Sequence, residues 1–515
     1  MKPLLLCLSY LLITHITFAQ ENSLSNTSRT RIIDNHWYFK KDTLSDYKKL
    51  GFDDSSWRFL NLPHDWSIED LPNQLHDSIS GPFSKASIGK GATAYTVGGI
   101  GWYRKKFSLN KSEEHKIVYL NFDGVYMNAT VWLNGHNLGN HPYGYTPFNY
   151  NITPYLKPAG QENQLTVQVK NTGKNSRWYS GSGIYRHVSL TYVNPVHIIP
   201  NGVQVLTGQV SDKSADVNLI STIKNQQSNT SYQIKAEIYD SSGKMIKSSN
   251  AEKNISTKQQ LENLLKVKIS NPKLWSTENP YLYKATIKLL IKNKICDSLS
   301  VRFGVRSISI NSKTGLVLNG KLLKLKGGCI HHDNGPLGVA AIDRAEERKV
   351  ELLKANGFNA VRTSHNPPSE TFLNACDRLG MLVLDEAFDM WNVPKNPDDY
   401  NLYFKDWWEK DLTSIIVRDR NHPSVILWSI GNEIPERADA AGLLTTKMLA
   451  DKVHQLDPSR MITEAVCSFW DKGGDKNYTW DSSTPPVFKL LDVGGYNYEM
   501  DKYEPDHAKY PQRTM

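Results

Sequence analysis

The chain has 515 residues, 39% of them hydrophobic and 22% charged, with 13 Trp, a balance that suits several folded domains and excludes a disordered chain. Its formal net charge of +9 is spread over the whole length among acidic residues. No basic helix or zinc module accompanies it, so the charge is read as a solvated surface and nucleic-acid binding is set aside.

Met1-Lys2 precedes an apolar run from Leu4 to Phe18, and "TFAQ" puts small residues at Thr17 and Ala19. That is the pattern of a secretory signal over residues 1–19. The run falls short of the ~20 apolar residues that a membrane span needs. The expected address is periplasmic or secreted, with no membrane attachment after cleavage. Cys296, Cys329, Cys376 and Cys467 sit in apolar patterns without a CxxC spacing, so buried thiols are expected rather than a zinc knuckle or a disulfide framework.

Residues 28–194 read as short strands and turns: "KIVYLNFDGV", "NATVWLNGHNLG", "NQLTVQVKN" and "RHVSLTYV" alternate apolar and polar side chains. Asp123-Gly124 and Asn134-Gly135 favour tight turns. The expectation is an all-β sandwich of jelly-roll type. Residues 195–308 shift to Ser, Lys, Asn and Thr, with strands such as "ADVNLISTIKN", "YQIKAEIYD" and "YLYKATIKLLIKN". About seven strands over roughly a hundred residues suggest an immunoglobulin-like β-sandwich acting as a spacer.

Over residues 309–515 strands alternate with helices. "LLKLKGGCIHH" reads as a strand, Asp343 as the cap of "RAEERKVELLKANG", and "FNAVRTSH", "MLVLDEAF", "SVILWSIGNE", "MITEAV" and "DVGGYNY" as further strands. Helices read over "SETFLNACDRLG", over "KDWWEKDLTSIIVRDR" and from about Ala440. Repeated βα units point to a (β/α)8 TIM-type barrel, here incomplete with about six strands.

Sites in such barrels lie at the C-terminal strand ends. Those ends are His331-His332-Asp333, Arg362 to Asn366, Asp385-Glu386, Asn432-Glu433, Glu464 and Tyr496-Asn497-Tyr498. Carboxylates, polar groups and aromatic rings occur there together, the combination that sugar chemistry needs. Adjacent residues on a strand diverge, so the His331-His332-Asp333 run is not expected to hold zinc, and only one of the two histidines is expected to face a pocket.

"NAVRTSHNPPS" and "DRNHPSVILWSIGNE" resemble, nearly residue for residue, two signature segments of glycoside hydrolase family 2, the β-galactosidase and β-glucuronidase group. "FDDSSWRFLNLPHDWSI", "GWYRKKF", "VWLNGHNLGNHPYGYTPF" and "RWYSGSGIYRHVSL" look like its sugar-binding sandwich, and the resemblance runs from about Ile33 to the last residue. It implies a retaining, exo-acting β-glycosidase of β-galactosidase type. Glu433 matches the general acid/base and Asn432 the residue bonding the sugar 2-hydroxyl. His332 and His365 match hydroxyl-binding histidines, and Tyr498, with Tyr496 as the alternative, matches a tyrosine beside the nucleophile. Arg362 and Trp178 complete the expected substrate-binding set.

In the family the nucleophilic Glu sits on the seventh strand, which is expected beyond residue 515, so the chain as given is expected to be inactive. Glu386, Glu464 and Glu499 are the other carboxylates at hand, with Glu386 expected to support the site. Some members hold Mg²⁺ after the third strand. Here "DEAFDMWNV" offers only Asp389, which does not build an octahedral site, so neither a metal nor another cofactor is expected. The expected partner is a β-linked carbohydrate, and a homo-oligomer is compatible with the sequence. Two alternatives stay open: another sugar specificity such as β-glucuronidase, and a silent carbohydrate-binding protein using Trp132, Trp178 and Tyr179 as platforms.

Overall fold

The computed structural model describes residues 29–44, 46–71, 81–468 and 479–515, so the segment read as a secretory signal lies outside the described residues. The first domain is a sandwich of a four-stranded and a six-stranded sheet. Trp37, Val118, Leu120, Phe122, Val131 and Val167 are buried between the layers. Alternation along each strand supplies one face of this core.

Asn134-Gly135 turns Ala129–Leu133 back along His136–His141, with φ of 50° and 83°. A two-residue hairpin of this kind needs both positive values, which Asn and Gly tolerate best. Asp123-Gly124 departs from the tight turn expected there. Ile117–Phe122 and Ala129–Leu133 lie in different sheets, so the dipeptide opens a crossing between layers.

Seven strands from Val196–Val210 to Lys294–Phe303 form the second sandwich, in sheets of three and four. Every second side chain of Ser214–Asn225, including Ala215, Val217, Leu219 and Ile223, enters its core.

The third domain contains six parallel strands in chain order: β1 (Gly327–Ile330), β2 (Ala360–Thr363), β3 (Leu382–Glu386), β4 (Val425–Asn432), β5 (Met461–Val466) and β6 (Val493–Tyr496). This is the winding of a TIM-type barrel, with about three quarters of the usual eight strands. Helices α1 (Asp343–Ala355), α2 (Glu370–Leu379), α3 (Asn401–Asp419) and α4 (Ala440–Leu456) lie in the connections.

Two local expectations change. "LLKLKGGCIHH" is not one strand: Lys321–Leu322 pairs with Gly315–Leu318, and β1 starts only at Gly327. A side chain at Gly327 would put its Cβ 2.1 Å from the Ala360 carbonyl oxygen, so glycine permits the close pairing of β1 with β2. Asp343 is the first residue of α1 rather than its cap, which is Ile342, and its carboxylate accepts from His187 and Thr371 instead. On α2 the Ser369 hydroxyl accepts from the Phe372 amide, an ordinary N-cap.

The two sandwiches meet opposite ends of the barrel. Arg306, just after the second sandwich, donates to the carbonyls of Pro423 and Val425, both at 2.7 Å, where β4 begins. The first sandwich covers the other end. Tyr143 donates to the Ala387 carbonyl at 2.6 Å beyond β3, and Arg186 to that of Pro367 at 2.9 Å beyond β2.

Candidate active site

All eight residues of β4 are buried, as its β-branched apolar composition leads one to expect. At Gly431 an added Cβ would stand 2.8 Å from the Trp391 ring, so the strand passes that indole only as glycine. Glu433 follows with φ 48°, its amide donating to the Ala465 carbonyl at 2.8 Å. Holding a non-glycine residue in the left-handed region costs of order 1–2 kcal/mol, a strain commonly retained at functional positions.

The Glu433 carboxylate is nearly buried and meets one donor at each oxygen. Asn497 Nδ2 donates to Oε1 at 3.0 Å, and Arg177 Nη1, from the first sandwich, donates to Oε2 at 3.3 Å. Arg177 also forms a fork on Asp389, at 3.1 Å from Nε and 2.7 Å from Nη2. Lys395 Nζ and Asn432 Nδ2 each donate to the same Asp389 oxygen at 2.8 Å. Burial opposes ionisation of Asp389, but Lys395 and Arg177 outweigh it and hold its carboxyl well below the usual carboxylate range. Burial likewise opposes the Arg177 charge, and Asp389 with Glu433 overcomes it.

A second buried carboxylate, Glu386, organises the next strand ends. It accepts from Arg362 at 2.8 and 2.9 Å, from His365 Nδ1 at 2.7 Å and from the Ser429 hydroxyl at 2.6 Å. Burial pushes its carboxyl up, but Arg362 and His365 prevail and keep it below its ordinary value.

Above these pairs opens a cavity of about 450 Å³ between sandwich and barrel, lined among others by Glu433, Arg362, His365, His331, His332, Trp178 and Tyr498. Trp178, 51% exposed, stacks on His331 with centroids 4.5 Å apart and planes at 14°. His331 in turn stands edge-on to His365 at 5.7 Å. Burial lowers the His331 pKa to about 4, so the ring is neutral near pH 7.

His332 lies deeper. Its Nε2 reaches the Ser180 carbonyl at 3.3 Å, its Nδ1 is buried without a partner among the described residues, and burial holds it well below the ordinary histidine value. Both histidines border the cavity, contrary to the expected alternation. β1 stops at Ile330, so residues 331 and 332 are past the strand and its period-two rule does not apply.

Tyr498, 68% exposed, and Tyr496 both border the cavity; the Tyr496 hydroxyl donates to Asp506 at 2.8 Å and its ring packs on Trp480 and Phe488. Asn432 is fully buried, its carbonyl accepting from Arg362 at 2.6 Å and Asn497 at 3.1 Å. It thereby links Arg362, which pairs with Glu386, to Asn497, which donates to Glu433. Glu464 is buried with neither oxygen bonded among the described residues, and burial pushes its carboxyl up to about 8. Glu499 accepts from the Ser468 amide at 3.1 Å.

Other expectations are corrected. Trp132 is buried and stacked on Trp102 at 5.8 Å, so it is core rather than a platform. Tyr179, in contrast, does border the cavity as a platform candidate would, while its hydroxyl donates to Asp65, which also accepts from the amides of Ser182 and Val339 at 2.9 and 3.0 Å, tying the sandwich loop to the barrel. Cys329 is exposed instead of buried, because β1 is an edge strand, while Cys376 and Cys467 are buried. Among the described residues no three His, Cys, Asp or Glu side chains are grouped to hold a metal ion.

Arg177, Lys395 and Asn497 had no assigned role in the sequence. Asn497 lies in the strand-end run Tyr496-Asn497-Tyr498, whereas the only local signal of Arg177 is its place next to Trp178. Lys395 carried none, since its place beside Asp389 comes from the fold of the loop after β3.

Three domain descriptions of one family match in order: Glycosyl hydrolases family 2, sugar binding domain, over residues 46–195; Glycosyl hydrolases family 2 over 196–306; and its TIM barrel domain over 308–486. The chain belongs to glycoside hydrolase family 2. A solved family 2 member from Bacteroides cellulosilyticus superposes with a TM-score of 0.89 at 44% identity, over 94% of this chain and 60% of that one. Beta-galactosidase BoGH2A of Bacteroides ovatus is 38% identical over 90% of this chain and 56% of its own length. A putative beta-glucuronidase of Formosa agariphila is 40% identical over 84% of this chain and 39% of its own. The chain therefore spans between about two fifths and three fifths of the length of these family 2 relatives.

Proposed function

We propose that this family 2 protein hydrolyses terminal β-linked sugars with retention, as an exo-acting glycosidase of β-galactosidase type in which Glu433 is the general acid/base. The observation that carries the reading is Glu433, a left-handed residue just past the C-terminal end of β4, whose carboxyl is held by one donor at each oxygen and borders a sugar-sized cavity. In the first step Glu433 gives its proton to the leaving oxygen while a carboxylate attacks the anomeric carbon. In the second it takes a proton from water as the glycosyl ester is hydrolysed.

Retention places the attacking carboxylate about 5–5.5 Å from the acid. We propose that it comes from the strand next to β6, where the Gly494 amide already donates to the Thr514 carbonyl at 2.8 Å. The matched region makes up only 56% and 60% of two family 2 relatives, which leaves room for such a strand.

A neutral glycone is favoured over a uronate by the charges of the cavity. Arg177 is engaged by Asp389 and Glu433, Arg362 by Glu386, and His331 is neutral near pH 7. Export, inferred from the segment Met1–Ala19, would place the enzyme where oligosaccharides arrive. Among the described residues no helix is long and apolar enough to cross a membrane.

The test is kcat/KM of the full-length protein on matched aryl β-galactoside and β-glucuronide. Preference for the galactoside is expected, and preference for the glucuronide would overturn the neutral-sugar reading. Tight binding of both without turnover would instead establish a carbohydrate-binding protein.

A further inference from the structure

We propose that Arg177 is a positioning residue for the acid/base, lent by the first sandwich to the barrel and anchored by Asp389. The inference rests on the acid/base reading of Glu433.

A guanidinium presents its donors in one rigid plane. Nε and Nη2 of Arg177 are committed to the two oxygens of Asp389, which leaves Nη1 to meet Glu433 Oε2 at 3.3 Å. The fork thus determines where the third donor points. Asp389 can anchor it because Lys395 neutralises the remaining charge and itself donates to the Asn432 carbonyl, one residue before Glu433.

The loop carrying Arg177 is held on both sides. Before it, the Lys174 amide donates to Asp398 at 2.9 Å and the Ser176 carbonyl accepts from Asn396 at 2.8 Å. After it, Ser182 is tied to Asp65 at 2.9 Å. Asp389, Lys395, Asn396 and Asp398 all belong to the segment following β3, so one barrel loop seats both the sandwich loop and its arginine.

Asn497 fixes one oxygen of Glu433 from within the barrel, and Arg177 fixes the other from the sandwich. With both donors in place the carboxyl cannot rotate freely. Loss of Arg177 should therefore harm the step that needs a directed proton and spare a step that does not.

The experiment measures kcat/KM for a phenyl glycoside, a poor leaving group, and a 2,4-dinitrophenyl glycoside, a good one, in full-length wild type, Arg177→Ala, Arg177→Lys, Glu433→Gln and the Arg177→Ala/Glu433→Gln double variant. Misplacing a catalytic group by about an ångström can cost ~100-fold, so Arg177→Ala should slow the phenyl substrate roughly 10- to 100-fold and the dinitrophenyl one less than about threefold. Arg177→Lys keeps the cation but cannot make both contacts, and should show the same leaving-group dependence to a smaller degree. In the Glu433→Gln background Arg177→Ala should add less than about twofold, since groups acting as a unit are not additive. Equal slowing of both substrates by Arg177→Ala and Arg177→Lys, or full additivity in the double variant, would overturn the proposal. A Glu433→Gln variant indifferent to the leaving group would overturn the acid/base reading itself, and this inference with it.

Discussion

The two ends of β4 meet arginine in opposite ways. At Val425 the strand enters a saturated cluster: Arg460 donates to the carbonyls of Val425 and His422, both at 2.7 Å, and to Asp457 at 2.6 Å, while Arg306 takes the same Val425 oxygen. The arginine hydrogen bonds there end on backbone, on the Ser459 hydroxyl or on one carboxylate, and the side chains of Arg460 and Asp457 are almost fully buried. At Glu433 the arginine divides its donors between two carboxylates beside an open cavity. One end spends buried charge on holding the strand in place, and the other keeps a carboxyl within reach of a ligand. In a parallel barrel this is the division expected between its N-terminal and C-terminal faces.

Substitution at the scaffold end gives the largest expected loss of stability. Arg460→Met leaves Asp457 buried without its partner, and should cost about 3–5 kcal/mol in denaturant titration. The surviving enzyme should keep its wild-type leaving-group dependence. A changed dependence would mean that the two ends are not separate in function.

A second pair sharpens the contrast within the first sandwich. Trp132→Ala empties a packed cluster with Trp102 and Trp57, which should cost about 3 kcal/mol and leave KM unchanged. Trp178→Ala at the exposed ring should shift stability by less than about 0.5 kcal/mol and raise KM severalfold. The reverse pattern would exchange the assignments of core and platform.

A pH-dependent effect concerns His187, which bridges Asp34 of the sandwich at 2.6 Å and Asp343 of α1 at 2.9 Å. Burial opposes its charge, but the two carboxylates raise its pKa to about 11. The folded state then holds a proton that the unfolded chain releases near pH 6.5. Its stabilisation is complete below that value and declines as pH rises toward about 11. His187→Asn should therefore lower the melting temperature more at pH 6 than at pH 9. An equal loss at both would show that the bridge is not charged.

Much of this contrast was legible in the sequence. The alternation of Ser214–Asn225 and the apolar run of β4 carry their own burial, so the succession of two sandwiches and a barrel follows from local pattern. The strand-end residues Arg362, His365 and Glu433 could be named because a parallel barrel gathers such ends on one face. What stayed hidden depended on contacts between domains. Nothing near Arg177 announces Asp389, which is 212 residues away, and nothing in "HH" tells that β1 stops at Ile330 and frees both rings. Trp132 looked like a platform because a lone Trp in a strand does not declare its face until its neighbour Trp102 is known.

The most direct measurement is the rate of the full-length Glu433→Gln variant across aryl glycosides of graded leaving-group pKa. A proton donor contributes about 10²–10⁴-fold where the leaving group needs the proton. Losses of that size are expected for phenyl-type leaving groups, shrinking toward wild-type rates for dinitrophenyl. A uniform loss across the series would contradict this and assign Glu433 a role other than acid catalysis.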